Sequence, residues 1–179
     1  MKERSLLSSR VVYRGRHIAV REDDVKEDGN LHRYEIVEHP GAVAVLAVDE
    51  KDGCLIFERQ YRYSLKEYLY EIPAGTLEEG EQPERCARRE LMEETGYLAE
   101  DMRRLVSIRT SPGYTNEILH IFYCRASGRI ESRPEVDEEI EVVKLKPKDV
   151  GMMVKNGEIV DSKTLAALLV AEALRLVEL

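Results

Sequence analysis

The sequence of 179 residues has no tryptophan, few cysteines and no apolar run long enough to span a membrane. Cys54, Cys86 and Cys124 are odd in number and widely spaced, which excludes a disulfide framework and zinc-ligand spacing, so we expect three reduced, buried thiols. The longest apolar runs, such as Gly41–Val48 and Thr164–Val170, fall well short of ~20 residues. The charged N-terminus does not resemble a signal peptide, and we therefore expect a cytoplasmic protein without membrane contact.

Positive charge is also in deficit. Lys and Arg number 27 against 35 Asp and Glu, a formal net charge of −8. This balance argues against a large nucleic-acid surface, because binding to a phosphate backbone relies on clustered Lys and Arg. A small phosphorylated ligand remains compatible with it, provided that a local cation offsets the charge of the ligand. With 43% apolar residues, the chain can bury the core of one domain with a small appendage.

The first forty residues predict a small antiparallel unit. Residues 9–22 alternate as a strand pair would around Gly15, and Asp28-Gly29 favours a tight turn before a third extended run, Leu31–Glu38. Three such strands have little core of their own and need a partner surface. We place a boundary at His39-Pro40-Gly41, which gives two domains, 1–39 and 40–179.

The second domain alternates strands and helices, which predicts an α+β fold with a mixed sheet between helical layers. The final helix is expected to begin at a capping Ser162 and to run to the C-terminus, with Leu165, Leu168, Leu169 and Ala173 on its apolar face. The other expected helices are Pro83–Gly96 and Pro147–Met153, and the expected strands are Ala42–Val48, Cys54–Arg62, Tyr68–Ile72, Leu105–Thr110, Ile118–Arg125 and Ile140–Leu145.

The helix predicted from Pro83 carries an unfavourable cluster of carboxylates. Glu90 and Glu94 are four residues apart on one face, Glu93 lies beside them, and Glu81 precedes the helix. Like charges at these spacings destabilise a helix, and the helix dipole disfavours anions near its C-terminal end. A divalent cation among the carboxylates would explain the cluster, since hard oxygen ligands suit Mg²⁺ or Mn²⁺.

The alternative is a solvated, ion-paired surface without any metal. Arg85, Arg88 and Arg89 on the same helix could offset the glutamates. Charge runs on helices usually mean just this, so composition and spacing alone favour the alternative.

A resemblance to a known sequence motif changes this assessment. Gly75, five residues, Glu81, seven residues and then Arg89-Glu90-Leu91-x-Glu93-Glu94-x-Gly96 is similar to the Nudix box at every fixed position. Only the final aliphatic position differs, because Tyr97 stands there. The resemblance implies a Nudix hydrolase, which cleaves a nucleoside diphosphate linked to another moiety, on an α/β/α sandwich.

The resemblance also implies roles for the residues of the box. Glu90 and Glu94 would ligate Mg²⁺, or Mn²⁺ as a substitute, with Glu93 ligating or assisting and the carbonyl of Ala74 completing the metal shell. Arg89 would orient the carboxylates, and Glu81 would support metal or water. Two or three ions with the substrate would offset the pyrophosphate charge and activate water.

Features outside the box resemble the ADP-ribose pyrophosphatase branch of the family. These are Pro112, fifteen residues beyond Tyr97, and the segments Arg59-Gln60-Tyr61-Arg62 and Glu71-Ile72-Pro73-Ala74-Gly75. By this resemblance Arg62, with Arg59 beside it, would contact substrate phosphate, and guanidinium groups suit phosphate oxygens. Glu71 would accept hydrogen bonds from a ribose hydroxyl.

An acidic stretch, Glu135–Glu141, precedes the strand expected at Ile140. The branch carries a glutamate in this loop that acts as general base or positions the attacking water. The resemblance places it at Glu138, with Glu139 as the nearest alternative and Glu135 also open.

The N-terminal strands in this branch cross to a second subunit and help to build its adenine pocket. The predicted small unit without a core fits a homodimer with exchanged strands. Tyr34 and Glu35 match positions where an aromatic ring stacks on adenine and an acid hydrogen-bonds to it.

Together these features predict a Mg²⁺-dependent homodimeric enzyme that cleaves ADP-ribose to AMP and ribose 5-phosphate. One alternative is a Nudix hydrolase of another nucleoside diphosphate derivative, such as a sugar nucleotide, a dinucleotide or FAD. Another is a catalytically silent module that binds a nucleotide and regulates a partner.

Overall fold

The computed structural model describes residues 3–132 and 139–179. Its contacts divide the chain into two units. The first, here the N-terminal unit, comprises Met1–Gly41 and Arg109–Ile118, and the second, here the main unit, comprises Ala42–Ile108 and Leu119–Leu179. The N-terminal unit therefore contains a later segment that the expected division at residues 39 and 40 did not include.

The N-terminal unit is a three-stranded antiparallel sheet in the order β1 (Arg4–Arg14), β2 (Ala19–Glu27) and β3 (Asn30–Glu38). Asp28 and Gly29 have φ angles of 46° and 86°, as a tight hairpin turn requires. The first strand begins five residues earlier than the expected start at residue 9, because cross-strand polar pairs extend it where no apolar alternation exists. These pairs are Arg4 with Glu27, Ser8 with Asp24 and Arg10 with Glu22.

The main unit contains a mixed eight-stranded sheet whose path is β11-β5-β4-β10-β8, with β6 on β5, β7 on β4 and β9 on β10. The central strand, β4, pairs parallel with β10 and antiparallel with β5. The strands are β4 (Ala42–Asp49), β5 (Leu55–Arg62), β6 (Glu67–Glu71), β7 (Ala74–Thr76), β8 (Tyr97–Ala99), β9 (Arg103–Arg109), β10 (Ile118–Arg129) and β11 (Ile140–Leu145). The helices are α1 (Pro83–Glu90), α2 (Pro147–Lys155) and α3 (Ser162–Ala173), and a π-helical turn (Leu91–Thr95) continues α1.

Strand β4 is apolar from Ala42 to Val48 because both of its faces are covered. Ala44 and Leu46 belong to one buried cluster with residues of α3, whereas Val43 and Val45 belong to a second cluster with residues of α1. Alternating side chains of a strand point to opposite faces, so helices lie on both sides of this sheet. The predicted α+β fold with a mixed sheet and an α/β/α sandwich is thereby confirmed.

Helix α3 differs from the expectation at both ends. Its N-cap is Asp161, whose side chain accepts a hydrogen bond from the Thr164 amide, and not Ser162. The helix ends at Ala173, because Arg175 adopts a φ of 57° and the Leu176 amide donates to the Ala171 carbonyl, which closes the helix.

The apolar face predicted for α3 is also partly wrong. Leu168 is buried, but Leu169 is 68% exposed and Ala173 is exposed as well. The buried face is formed by small residues beside Leu168, namely Thr164, Ala167 and Ala171.

Other expectations were incomplete. Strands β7 and β8, of three residues each, were not predicted, since so short a segment carries no periodicity. All three cysteines are free, and Cys86 and Cys124 are buried as expected, but Cys54 is partly exposed. Within the described ranges, no helix has both the length and the apolar character needed to cross a membrane.

Candidate active site

The carboxylates of the predicted metal cluster lie where α1 changes into a π-helical turn. The expected single helix from Pro83 to Gly96 is α-helical only to Glu90, and the wider turn from Leu91 to Thr95 follows. Gly96 ends it with a φ of 77°. Short π-helical turns of this kind are frequent at functional sites. Here the turn carries Glu93 and Glu94.

Glu90 packs directly against the backbone of Gly75. A Cβ atom built on Gly75 would lie 2.0 Å from the Glu90 carboxyl carbon, so only glycine leaves room for this carboxylate. The close approach of Glu90 thus explains why the first position of the box is a glycine.

Glu94 approaches the residue before that glycine. The Ala74 amide donates to Glu94 Oε2 at 3.0 Å, and Glu94 is 3% exposed. The carboxylates of Glu90 and Glu94 therefore meet the same short strand, β7, at Ala74 and Gly75.

Arg89 contacts three carboxylates at once. Its guanidinium donates to both oxygens of Glu81 at 3.1 and 3.0 Å and to Glu93 at 3.0 Å, and it lies 2.8 Å from Glu90. These hydrogen bonds from Arg89 lower the pKa of Glu81 to about 2, against a smaller opposing effect of burial. The pKa of Arg89 is raised in turn, so the pair of Arg89 and Glu81 stays ionised at neutral pH.

Three carboxylates, those of Glu81, Glu90 and Glu93, thus share the guanidinium of Arg89, and the Glu94 carboxylate accepts from the Ala74 amide. In residues 3–132 and 139–179, no three His, Cys, Asp or Glu side chains are already gathered as a metal site, since Arg89 and the Ala74 amide hold these oxygens. The donor set nevertheless fits a divalent cation, because the carboxylates of Glu90 and Glu94 converge on the backbone of Ala74 and Gly75 and carboxylate oxygens are hard ligands.

Arg62, at the end of β5, forms a two-point ion pair with Glu71, the last residue of β6. Arg62 Nε and Nη2 donate to the two carboxylate oxygens at 2.7 and 2.6 Å. Burial would raise the pKa of Glu71, but hydrogen bonds and charges from Arg62 and Lys163 outweigh it and lower the pKa. The two residues predicted to contact substrate are therefore in contact with each other.

The first turn of α3 completes this cluster, and sequence reasoning missed it. Lys163 donates to Glu71 and lies 3.1 Å from Asp161. Thr164 Oγ1 accepts from the Ile72 amide at 3.0 Å and donates to Asp161 at 2.6 Å. An N-cap signal was present in the sequence, but it was assigned one residue too late, and nothing in the spacing links α3 to Glu71.

Arg59 lies three residues before the end of β5 and contacts other partners. Its guanidinium lies 4.2 Å from the centre of the Tyr68 ring and 3.4 Å from the Glu141 carboxylate. The Tyr68 hydroxyl donates to Glu139, one of the alternatives for the residue that acts on water. Glu138 and Glu135 lie outside the described residues, so their roles stay predictions.

The remaining predicted substrate residues belong to the N-terminal unit. Tyr34 is 41% exposed on β3, and its hydroxyl donates to Glu27 at 2.6 Å. Glu35 is exposed beside it, and Pro112 is exposed in a turn that the Tyr114 amide closes on the Ser111 carbonyl. Their contact with a substrate stays a prediction.

Tyr97, the departure from the box, is buried within the apolar cluster under α1. Its hydroxyl donates to Asp49 at 3.2 Å, and Asp49 in turn accepts from Lys144 at 2.5 Å. The ring fills the place of an aliphatic side chain, and the hydroxyl has a partner, so the departure is accommodated by packing.

Comparisons with known proteins agree with this architecture. Residues 38–168 match the NUDIX domain. An ADP-ribose pyrophosphatase of Bacillus subtilis (strain 168) is 39% identical over 169 residues, which cover 93% of this chain and 91% of that protein. A methanol dehydrogenase activator of Bacillus methanolicus is 38% identical, covering 92% and 90% of the two chains. A crystal structure of an ADP compounds hydrolase superposes with a TM-score of 0.84 at 21% identity, covering 96% and 94%.

The α/β/α sandwich, with its acidic helix held against a glycine-containing strand, defines the class of protein. The chain belongs to the NUDIX family. The structural superposition by itself supports the fold, and the sequence relatives support the family.

Proposed function

We propose that this protein hydrolyses the pyrophosphate bond of ADP-ribose to give AMP and ribose 5-phosphate. The observation that carries the proposal is the convergence of Glu90 and Glu94 on the Ala74–Gly75 backbone, because this is where a box of this spacing would hold its metal. Relatives named as ADP-ribose pyrophosphatases in Bacillus subtilis and Mycobacterium tuberculosis, 39% and 34% identical, support the choice of substrate.

Divalent-metal dependence is general in this family, and we infer Mg²⁺, with Mn²⁺ as a substitute, as the ion used here. Glu90, Glu93, Glu94 and the Ala74 carbonyl would hold it. Two or three such ions would offset diphosphate charge and make a bound water more acidic.

The other predicted residues would orient the carboxylates, bind the substrate phosphates and activate the attacking water. Arg89 holds Glu81 and Glu93 and so fixes the carboxylate heads that must face the ion. Arg62 and Arg59 would bind phosphate oxygens, for which a guanidinium offers a rigid fork of donors. Glu138 would take the proton of the attacking water, with Glu139 and Glu135 as the alternatives.

The experiment that tests this function is hydrolysis of ADP-ribose in ¹⁸O-labelled water with Mg²⁺, followed by mass spectrometry of both products. We expect AMP and ribose 5-phosphate in equal amounts, with one label in one of them. GDP-mannose, NADH and FAD are run beside it, and faster turnover of any of these would replace ADP-ribose as the substrate.

A regulatory role is the second candidate, and the Bacillus methanolicus relative, named as an activator of a dehydrogenase, is what favours it. The complete set of box glutamates favours hydrolysis, since a module that only binds would not need them. Nucleotide binding without product formation in Mg²⁺ or Mn²⁺ would favour the regulatory role.

We also propose that the protein is a homodimer through its N-terminal unit. Every residue of β1 is exposed, including Leu6, Leu7 and Val12 at 61%, 58% and 47%. So many exposed apolar side chains on one strand are typical of an interaction surface. Light scattering should give twice the chain mass, and Leu6→Ser with Val12→Ser should shift it toward the monomer; a monomeric wild type would contradict the proposal.

A further inference from the structure

Glu71 is a buried carboxylate with two cationic partners. It is 1% exposed, and Arg62 donates to both of its oxygens, while Lys163 donates to Oε2. One cation would satisfy the charge of a single carboxylate. Lys163 also lies 3.1 Å from Asp161, so two cations are shared by two carboxylates, and Glu71 keeps a cationic partner besides Arg62.

The two cations differ in exposure and in surroundings. The Arg62 side chain is 37% exposed, whereas that of Lys163 is 14% exposed. The charge of Glu94, the carboxylate at Ala74, contributes to the raised pKa of Arg62, after the larger effects of Glu71, burial and Asp161. Arg62 is therefore the more accessible of the two cations, and the charge of Glu94 acts on it.

Lys163, in contrast, is fixed in place by the first turn of α3. It lies between Glu71 and Asp161, at 3.1 Å from the latter. Asp161 accepts from both the amide and the hydroxyl of Thr164, at 2.9 and 2.6 Å, and this hydroxyl accepts from the Ile72 amide. Lys163 is therefore tied to the strand segment that leads to Ala74.

A buried carboxylate without a counter-ion is strongly unfavourable. If Arg62 were the sole partner of Glu71, moving the Arg62 guanidinium to a substrate phosphate would leave the Glu71 carboxylate unpaired. We propose that Lys163 is a positioning residue that keeps Glu71 paired when Arg62 turns to the diphosphate of the substrate. The inference rests on the proposed function, because it assumes a diphosphate substrate bound by Arg62.

The first test replaces Lys163 by Met and measures hydrolysis of ADP-ribose. We expect KM to rise by about tenfold or more and kcat to change by less than about threefold, as for lost binding that acts equally in ground and transition states. Lys163→Arg keeps the charge and should restore KM. Lys155→Met is the matched control, because Lys155 is an exposed lysine on α2. A wild-type KM in Lys163→Met would overturn the proposal.

The second test separates pairing from general support of the fold. The Glu71→Gln side chain carries no charge. Arg62 therefore has no ion pair with it, whether or not Lys163 is present. Adding Lys163→Met to Glu71→Gln should therefore change KM by less than about twofold, although the same substitution raises it in the wild-type background. An equal rise in both backgrounds would show that Lys163 acts through the fold alone and would overturn the proposal.

Two further measurements keep the tests decisive. Thermal melting identifies variants that are folded, and Lys163→Gln, which can still hydrogen-bond to Asp161, replaces Lys163→Met if the latter is unfolded. Calorimetric titration with the α,β-methylene analogue of ADP-ribose then separates the two proposals. No binding and no turnover by the wild type would contradict the proposed function, whereas equal affinity of wild type and Lys163→Met would contradict only the inference.

Discussion

Two clusters of charged side chains in the main unit differ in their balance of charge. Around Arg89, a single cation contacts three carboxylates, and Glu94 lies nearby on the Ala74 amide. Around Glu71, two cations, Arg62 and Lys163, face two carboxylates. Both clusters meet the segment from β6 to β7, one at Glu71 and the other at Ala74 and Gly75.

The difference in balance indicates a difference in use. In the Arg89 cluster three carboxylates contact one guanidinium, and a divalent cation bound there would relieve the repulsion between them. The Glu71 cluster is neutral within itself and can be buried without an external ion. It is suited to hold Arg62 and the strand leading to Ala74 in place.

The largest effect is expected from a substitution in the carboxylate cluster around Arg89 and Ala74. Glu94→Gln removes one of the two carboxylates that meet Ala74 and Gly75 and keeps the shape of the side chain. We expect kcat for ADP-ribose to fall by roughly a hundred- to a thousandfold, because stabilisation of the transition state by a metal ion supplies several kcal/mol. The same variant should lose the rise in melting temperature that Mg²⁺ or Mn²⁺ gives to the wild type.

Glu84→Gln is the control for this prediction, since Glu84 lies on the same helix but is exposed and pairs with Arg88. It should keep both activity and the response to metal. A loss of less than tenfold in folded Glu94→Gln would contradict the metal assignment.

A smaller effect is expected from Gly75→Ala, which displaces Glu90 without removing it. The added Cβ would occupy the position of the Glu90 carboxylate, but this end of the side chain can rotate away. We therefore expect kcat to fall by about tenfold to a hundredfold, because misplaced catalytic groups lose rate steeply, while the melting temperature changes little. Gly113→Ala, whose added Cβ meets nothing within 4 Å, is the stability control. Full activity in Gly75→Ala would show that the position of Glu90 is not critical.

The smallest effect is expected for Glu71, which pairs with Arg62 and Lys163, and it is a pH-dependent change in stability. The folded-state pKa of Glu71 lies below its ordinary value of 4.5, because Arg62 and Lys163 outweigh the effect of burial. The ionised carboxylate thus stabilises the fold above about pH 4.5, and this contribution is lost as the pH falls through the lower folded pKa. Glu71→Gln should lower the free energy of unfolding by about 1–2 kcal/mol at pH 7, since its partners are partly exposed, and the difference should shrink below pH 4.5.

Urea denaturation at several pH values measures this dependence. Glu172→Gln, at an exposed position of α3, should show no comparable difference. A destabilisation of Glu71→Gln that is equal at pH 3 and pH 7 would mean that the Glu71 charge is not involved.

Much of the secondary structure could be predicted from local patterns. The continuous apolar run at β4 predicted a strand, and the turn at Asp28-Gly29 predicted a hairpin, since both signals act over a few residues. The end of α3 was missed, because the left-handed Arg175 that closes it carries no glycine signal. The π-helical turn after Glu90 was missed as well, since its residues read as ordinary helix.

The spacing of the box determined by itself that Glu81, Arg89, Glu90 and Glu94 would share a loop and helix, because they are neighbours along one short segment. Only the tertiary structure decided what surrounds them. Glu90 rests on Gly75, Glu94 bonds to Ala74, and Lys163 reaches Glu71 across 92 positions of sequence. The physical reason is that periodicity records which side of an element is buried, whereas the pairing of charges between distant elements is fixed only when the chain packs and buried charges must find partners.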